Sequence, residues 1–203
     1  MEAARSLQSD ILTAARQHFA DKGFYGTSLA AVAGTLGVTK QAVLHYFPTK
    51  EKLYAAVLDG VAGDLRELLA QVRAARLPPA ATVTHLLLRA ERLSLQKPAA
   101  VRLLVREMLD IERRAAGIPS WPLEEFQQSV AVLVQAASED PALSAEAAFG
   151  AIWPLLGAIW FRAISVPALE LALSPEASTG FRAATSAALE RQIRKAWKAQ
   201  SPH

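Results

Sequence analysis

The stretch from Thr27 to Leu53, TSLAAVAGTLGVTKQAVLHYFPTKEKL, constrains the fold more than any other, because its caps, turn and periodicity all specify one supersecondary unit. Ser28 is an N-cap residue type. Behind it Leu29, Val32, Ala33 and Leu36 recur at i, i+3, i+4 and i+7, the apolar stripe of a short helix. Gly37 supplies the left-handed conformation at which a helix can end, so the chain turns over Gly37 and Val38 and restarts at Thr39, a second N-cap type. Two short helices joined by a glycine-containing turn make a helix-turn-helix, in which the second helix is the one that enters a DNA major groove.

Wound at about 100° per residue, the second helix separates two faces. Ala42, Val43, Tyr46 and Phe47 fall on one side, and Lys40, Gln41, Leu44 and His45 on the other. Lys40 and His45 suit phosphates, Gln41 offers a paired donor and acceptor to an adenine edge, and Leu44 suits a thymine methyl. Pro48 stops the helix and Thr49 caps the next. Lys50 then stands in a first helical turn, where the dipole disfavours a cation and an anionic partner such as phosphate gives a reason for one.

The segment AVAGTLGVTKQAVLHYFPTKEKL resembles the helix-turn-helix pattern of the tetracycline-repressor family of bacterial transcription regulators. Ile11, Ala14, Ala15, Phe19, Gly23 and Thr27 extend the likeness through a first helix, so it covers about residues 6 to 60. Leu44 stands where that family often has a phosphate-binding Tyr, and Gln41 where Gly is frequent. The resemblance implies a three-helix DNA-binding head, here residues 1–52, followed by a helical ligand-binding and dimerisation domain, residues 53–203. It also implies a cytoplasmic homodimer, a repressor that leaves a palindromic double-stranded DNA operator when a small-molecule effector binds. DNA-binding candidates are Ser28, Thr39, Lys40, Gln41, Leu44, His45, Tyr46 and Lys50. An activator, a regulator controlled by a partner protein, and a helical enzyme or scaffold that retains the head are the alternatives.

Composition agrees with the class without specifying it. A chain of 203 residues, 52% hydrophobic and 20% charged, has the apolar material for a sizeable core. It has no cysteine, which excludes disulfides and thiolate metal sites, and no secretory signal is evident at its N-terminus. Residues 1 to 63 carry six Lys or Arg against five acids, a weak electrostatic footprint for DNA, so the motif and not the charge carries that reading.

Ser6 or Ser9 can cap a first helix to about Lys22, with Leu7, Ile11, Ala14, Ala15 and Phe19 on one stripe. From Thr49 a longer helix runs to about Arg76, which Gly60 and Gly63 weaken and can bend. After Leu77-Pro78-Pro79, Leu- and Ala-rich blocks separated by prolines predict helices near 80–96, 98–116, 121–138, 144–166 and 176–199. No strand-like alternation interrupts them, so the class is all-α with about nine helices.

Residues 144–166 are apolar all round, which predicts a helix buried on more than one side; residues 147–161 are too short for a membrane span. Ala147, Gly150, Ala151, Pro154, Gly157 and Ala158 form a small-residue face, and Phe149, Ile152, Trp153, Leu156, Ile159 and Trp160 a bulky one. By the resemblance, the last two helices form a four-helix bundle with their copies, and the helices before them enclose a ligand cavity. The candidate lining is His85, Arg89, Met108, Trp121, Gln127, Trp153, Trp160 and Arg162, largely apolar, which predicts a largely apolar effector. Arg162, ending an apolar helix, is a surface-reaching residue, an ion-pair partner of Glu107 or Asp110, or an anchor for an acidic ligand. Arg102, Arg106, Glu107 and Asp110 read as a solvated face. His18, His45, His85 and His203 lack ligand spacing, and no catalytic motif occurs, so neither metal, cofactor nor enzyme chemistry is expected.

Overall fold

The computed structural model describes residues 2–109 and 123–198, and all regular structure among them is helical. In chain order the elements are α1 (Glu2–Gly26), α2 (Leu29–Thr35), α3 (Lys40–Tyr46), α4 (Lys50–Ala74), α5 (Pro79–Gln96), α6 (Pro98–Leu109), α7 (Glu124–Ala137), α8 (Ala145–Glu170) and α9 (Pro175–Lys198). They fall into two compact units. The first takes α1 to α3, α4 as far as Gly63, and α6 from Ala99; the second takes α4 from Asp64 with α5, α7, α8 and α9.

In the first unit the stripe expected of α1 is inward: Ile11, Ala14, Ala15 and Phe19 are buried. Tyr54 of α4 meets Phe19 and Phe24 edge-on, at ring-centroid distances of 4.8 and 5.1 Å. Helical geometry in α1 breaks at Gly23, whose φ of 71° is readily taken only by a residue without Cβ. The break leaves carbonyls at the end of α1 without helical partners, and α6 supplies the donors. Arg106 Nε and Nη2 donate to the carbonyl oxygens of Ala20 and Asp21 at 2.8 and 2.7 Å, and Arg102 Nη2 meets Asp21 Oδ1 at 3.1 Å. The Tyr54 hydroxyl donates to the buried carboxylate of Glu107. The solvated face expected of Arg102, Arg106 and Glu107 is therefore a fastening between helices. Spacing alone put them together, but the chain end that needs their protons lies some eighty residues earlier. Asp110 lies outside the described residues.

Helix α4 stays one helix across Gly60 and Gly63. A Cβ at Gly60 would come 2.9 Å from the Arg16 guanidinium, the far end of a flexible side chain that would have to shift to admit it.

In the second unit Leu86 and Leu87 of α5, Phe126 and Val130 of α7, Ile152, Leu156 and Ile159 of α8, and Leu189 and Ile193 of α9 are buried. Each such side chain contributes about 1.5–3 kcal/mol on leaving water. Helix α8 passes through Pro154 and continues through Pro167 to Glu170. The proline taken from sequence as its stop is thus interior; packing along the buried face outweighs the helical hydrogen bond each proline removes.

The remaining expectations for α8 divide by face. Ile152, Leu156, Ile159 and Trp160 are buried as expected, whereas Ala147, Gly150, Ala151, Pro154 and Ala158 are exposed, with Phe161 at 67%. Among the described residues of one chain the helix is packed on one side, short of the expected burial on more than one side. Its 26 residues are long and apolar enough to cross a bilayer by length and composition alone. Its inner side nevertheless carries an ion pair: Arg162 Nη1 lies 3.1 Å from Glu91 Oε1, with Arg162 at 9% and Glu91 at 7% exposure. Arg162 Nε also donates to Thr185 Oγ1 at 3.2 Å and Nη2 to the Arg182 carbonyl at 3.3 Å, while Ser186 Oγ donates to Glu91 Oε1 at 2.7 Å. The partner among the described residues is therefore Glu91 of α5, not Glu107.

Candidate nucleic-acid interface

The caps and turn read from the sequence are in place. Ser28 Oγ accepts from Ala31 N at 3.1 Å and Thr39 Oγ1 from Ala42 N at 3.2 Å. Gly37 has φ 66°, and Val38 N donates to the Ala33 carbonyl across the turn at 3.1 Å. Buried Val32, Ala33 and Val43 form the inner faces of α2 and α3, and His18 Nε2 meets Thr35 Oγ1 at 2.8 Å, fastening the end of α2 to α1. Thr27, 2% exposed, places its hydroxyl 2.8 Å from the Gly23 carbonyl oxygen and 3.1 Å from that of His18, fixing the entry into α2.

Held this way, α3 turns Lys40, Gln41 and His45 to solvent, with Leu44 half-buried among them and Val43 and Phe47 inside. Ala42 and Tyr46, assigned to the inner face, are half-buried, and the Tyr46 ring packs edge-on against His45 at 5.3 Å. The outward surface combines a cation, a primary amide, an imidazole and an apolar side chain. That set can meet phosphates, a base edge and a methyl group. Ser28 and Thr39 accept from backbone amides, and each hydroxyl keeps its hydrogen to donate to a phosphate oxygen.

Lys50 departs from its expected role. Its ammonium donates to the carbonyl oxygens of Phe24 and Thr27 at 2.9 and 3.1 Å and sits 4.3 Å from the centroid of the Phe24 ring. Two of its three donors are committed to the exit of α1. The α4 N-terminus is also satisfied internally: Thr49 Oγ1 accepts from Lys52 N at 3.2 Å. The Glu51 carboxyl is held below its usual range, first by its own backbone N–H, then by the Thr49 hydroxyl and by Lys50. The carbonyls to which this first-turn lysine donates lie 23 and 26 residues earlier, beyond the reach of a local reading.

Of the small-molecule candidates, Met108 belongs to the first unit, Trp121 lies outside the described residues, and the others belong to the second. Trp160 is 5% exposed and Trp153 37%, and with Phe149 they form a row of rings at centroid distances of 5.3 and 5.6 Å. His85 and Gln127 are half-buried. Arg162 has its guanidinium engaged by Glu91, Thr185 and Arg182, so it is a tie between helices and not a free anchor. Arg89 lines an open polar cleft beside Gln71 instead of an apolar cavity. Among the described residues no three metal-ligating side chains come together.

Residues 11–57, which hold all of α2 and α3, match the family model for bacterial regulatory proteins of the tetR family. The transcriptional regulator RutR of Escherichia coli K12 is 40% identical over 99 residues, 49% of this chain and 46% of that protein, so the chain aligns with about half the length of the curated relatives it matches. The fold is shared with the putative transcriptional regulator SCO4942 of Streptomyces coelicolor, with a TM-score of 0.69, 21% identity and coverage of 92% of this chain and 96% of that one. It is also shared with a gamma-butyrolactone receptor described as ArpA-like, with a TM-score of 0.63, 21% identity and coverage of 95% and 100%. The capped helix-turn-helix thus lies within the segment, residues 11–57, that matches the tetR family of bacterial regulatory proteins, and the helical fold of the chain is shared with the two solved structures.

Proposed function

We propose that the protein is a cytoplasmic, homodimeric repressor that binds a palindromic operator through α3 of each subunit and leaves it when a small molecule fills the helical domain. The head is assigned to residues 1–52, and ligand binding and dimerisation to residues 53–203. The observation that carries this reading is the outward surface of α3, where Lys40, Gln41 and His45 surround Leu44 on a helix fixed by two side-chain caps and a glycine turn. Lys40 and the free hydroxyl hydrogens of Ser28 and Thr39 serve the phosphates, and Gln41 and Leu44 read base edges.

Dimerisation is supported by the bare side of α8. A Cβ at Gly150 or Gly157 meets nothing within 4 Å, so a second helix has room to approach closely, and a monomer would leave that apolar strip in water. The row Phe149, Trp153 and Trp160, with His85 and Gln127 as polar groups, suits a largely apolar effector. A neighbour that shares the fold is a receptor for a gamma-butyrolactone, a small organic molecule. Release follows by linkage: a ligand that favours a subunit arrangement with the wrong head spacing weakens operator binding by the same factor.

The test is selection of bound sequences from a random DNA pool, with gel shifts over a range of salt. Enrichment of an inverted repeat, released by apolar compounds from a panel that also holds sugars and amino acids, supports the reading. Enrichment of nothing, at any salt concentration, refutes it.

A further inference from the structure

The C-terminal halves of α4 and α5 in the second unit enclose a polar cleft of about 280 Å³ that the proposed regulation does not use. Its charged and amide walls include Asp64, Glu67 and Gln71 from α4, Arg89 and Arg92 from α5, and Lys97 just beyond the end of α5. These groups are not simply paired off. Lys97 Nζ lies 2.7 Å from Asp64 Oδ1, an ordinary exposed ion pair. Gln71 stands between the others: its amide nitrogen donates to Glu67 Oε1 at 2.6 Å, and its oxygen accepts from Arg89 Nη2. A neutral amide thus separates Glu67 from Arg89, and among the described residues neither Arg89 nor Arg92 is paired with a carboxylate.

Arg89 and Arg92 stand at i and i+3 of α5, so the two guanidinia project to one side of the helix, at the cleft. Arg92 is exposed, and Arg89 is half-buried and already oriented by Gln71. Planar forks at this spacing are suited to bidentate contacts with carboxylate or phosphate oxygens. We infer that the cleft is a second effector site, one that takes a small, doubly charged anion, a dicarboxylate or a phosphate, through Arg89 and Arg92. Leu68 and Leu93 floor the cleft and leave space for a short carbon chain between two acidic groups. Its volume, near the lower end for small-molecule sites, excludes a drug-sized ligand. Glu67, across the cleft, opposes an anion and sets the sign of the test.

The experiment is thermal unfolding and isothermal titration of the full-length protein with malonate and, separately, inorganic phosphate, against sodium chloride at equal ionic strength. We expect saturable stabilisation by one or both beyond the chloride control, the two probes separating the carboxylate from the phosphate source. Arg92→Gln, at an exposed side chain with no partner among the described residues, should weaken binding roughly tenfold, the loss of one charge-assisted contact. Glu67→Gln should strengthen it. Stabilisation that chloride matches, or that Arg92→Gln leaves unchanged, makes the cleft a solvated charged face and overturns the inference. Weakening by Glu67→Gln would assign the cleft to a cationic or zwitterionic ligand and overturn it equally. Neither result bears on operator binding, so this inference fails or stands apart from the DNA reading.

Discussion

Helices α3 and α8 differ in how much of their surroundings the single chain supplies. The seven residues of α3 bury Val43 against the rest of the head and leave a polar outer face whose composition names the kind of partner it meets. The 26 residues of α8 are largely apolar around the helix, yet the described residues bury only one side of it. An amphipathic helix carries its own division into inside and outside. An all-apolar one leaves that division to its neighbours, and the bare side of α8 is where we propose a second subunit packs.

The sharpest way to break this contrast is on the packed side of α8. Arg162→Met leaves Glu91 buried without its cation, and we expect a loss of about 3–5 kcal/mol in chemical denaturation. The double variant Glu91→Leu with Arg162→Met should recover most of that loss, because removing both charges removes the desolvation cost. A double variant as unstable as the single one would show that the pair is not the source of the loss.

On the bare side the expected effect moves from folding to assembly. A Cβ at Gly150 meets nothing within 4 Å among the described residues, so in Gly150→Glu helical content should persist while the sedimentation coefficient falls to that of a monomer. Unchanged sedimentation would place the subunit contact elsewhere.

How far each helix was legible follows the same division. The caps at Ser28 and Thr39, the positive φ at Gly37 and the outward Lys40, Gln41 and His45 depend on residues within a few positions of one another, and all were readable from the sequence. Long-range partners were not. Lys50 looked like a phosphate ligand until its ammonium was found on the carbonyls of Phe24 and Thr27. Arg106 looked solvated until its guanidinium was found on Ala20 and Asp21. Glu91, the partner of Arg162, stands 71 residues before it in sequence. Its place on one side of α5 with Val83, Leu87 and Ala90 is the local signal that it is buried.

Lysine chemistry in the head sharpens the comparison further. Lys50→Met removes two hydrogen bonds from the exit of α1, and we expect a stability loss of about 1–3 kcal/mol with little change in the salt dependence of DNA binding. Lys40→Ala should do the reverse, lowering the salt slope by about one with stability intact. The opposite assignment in denaturation and salt titrations would return Lys50 to the phosphate.

The smallest effect is at the helix N-termini. Glu51 is held below its ordinary value of 4.5 first by its own backbone N–H and then by the Thr49 hydroxyl, and Glu146 likewise by its own N–H and then Ser144. Because both folded values are lowered, their contribution is present above the unfolded pKa and is lost as pH falls through the folded one. Stability should therefore decline slightly below pH 4.5, and less so in a variant carrying Glu51→Gln and Glu146→Gln, as urea midpoints across that range will show.

The central claim, that α3 of two paired subunits reads DNA, is tested most directly by selecting operators with the wild-type protein and with Gln41→Ala. We expect the wild type to enrich an inverted repeat with half-sites about one helical turn apart, roughly 10 base pairs. Gln41→Ala should change the preferred base within each half-site at a cost of about 1–3 kcal/mol in discrimination. A single asymmetric site, or one whose sequence is identical for the two proteins, would contradict the claim.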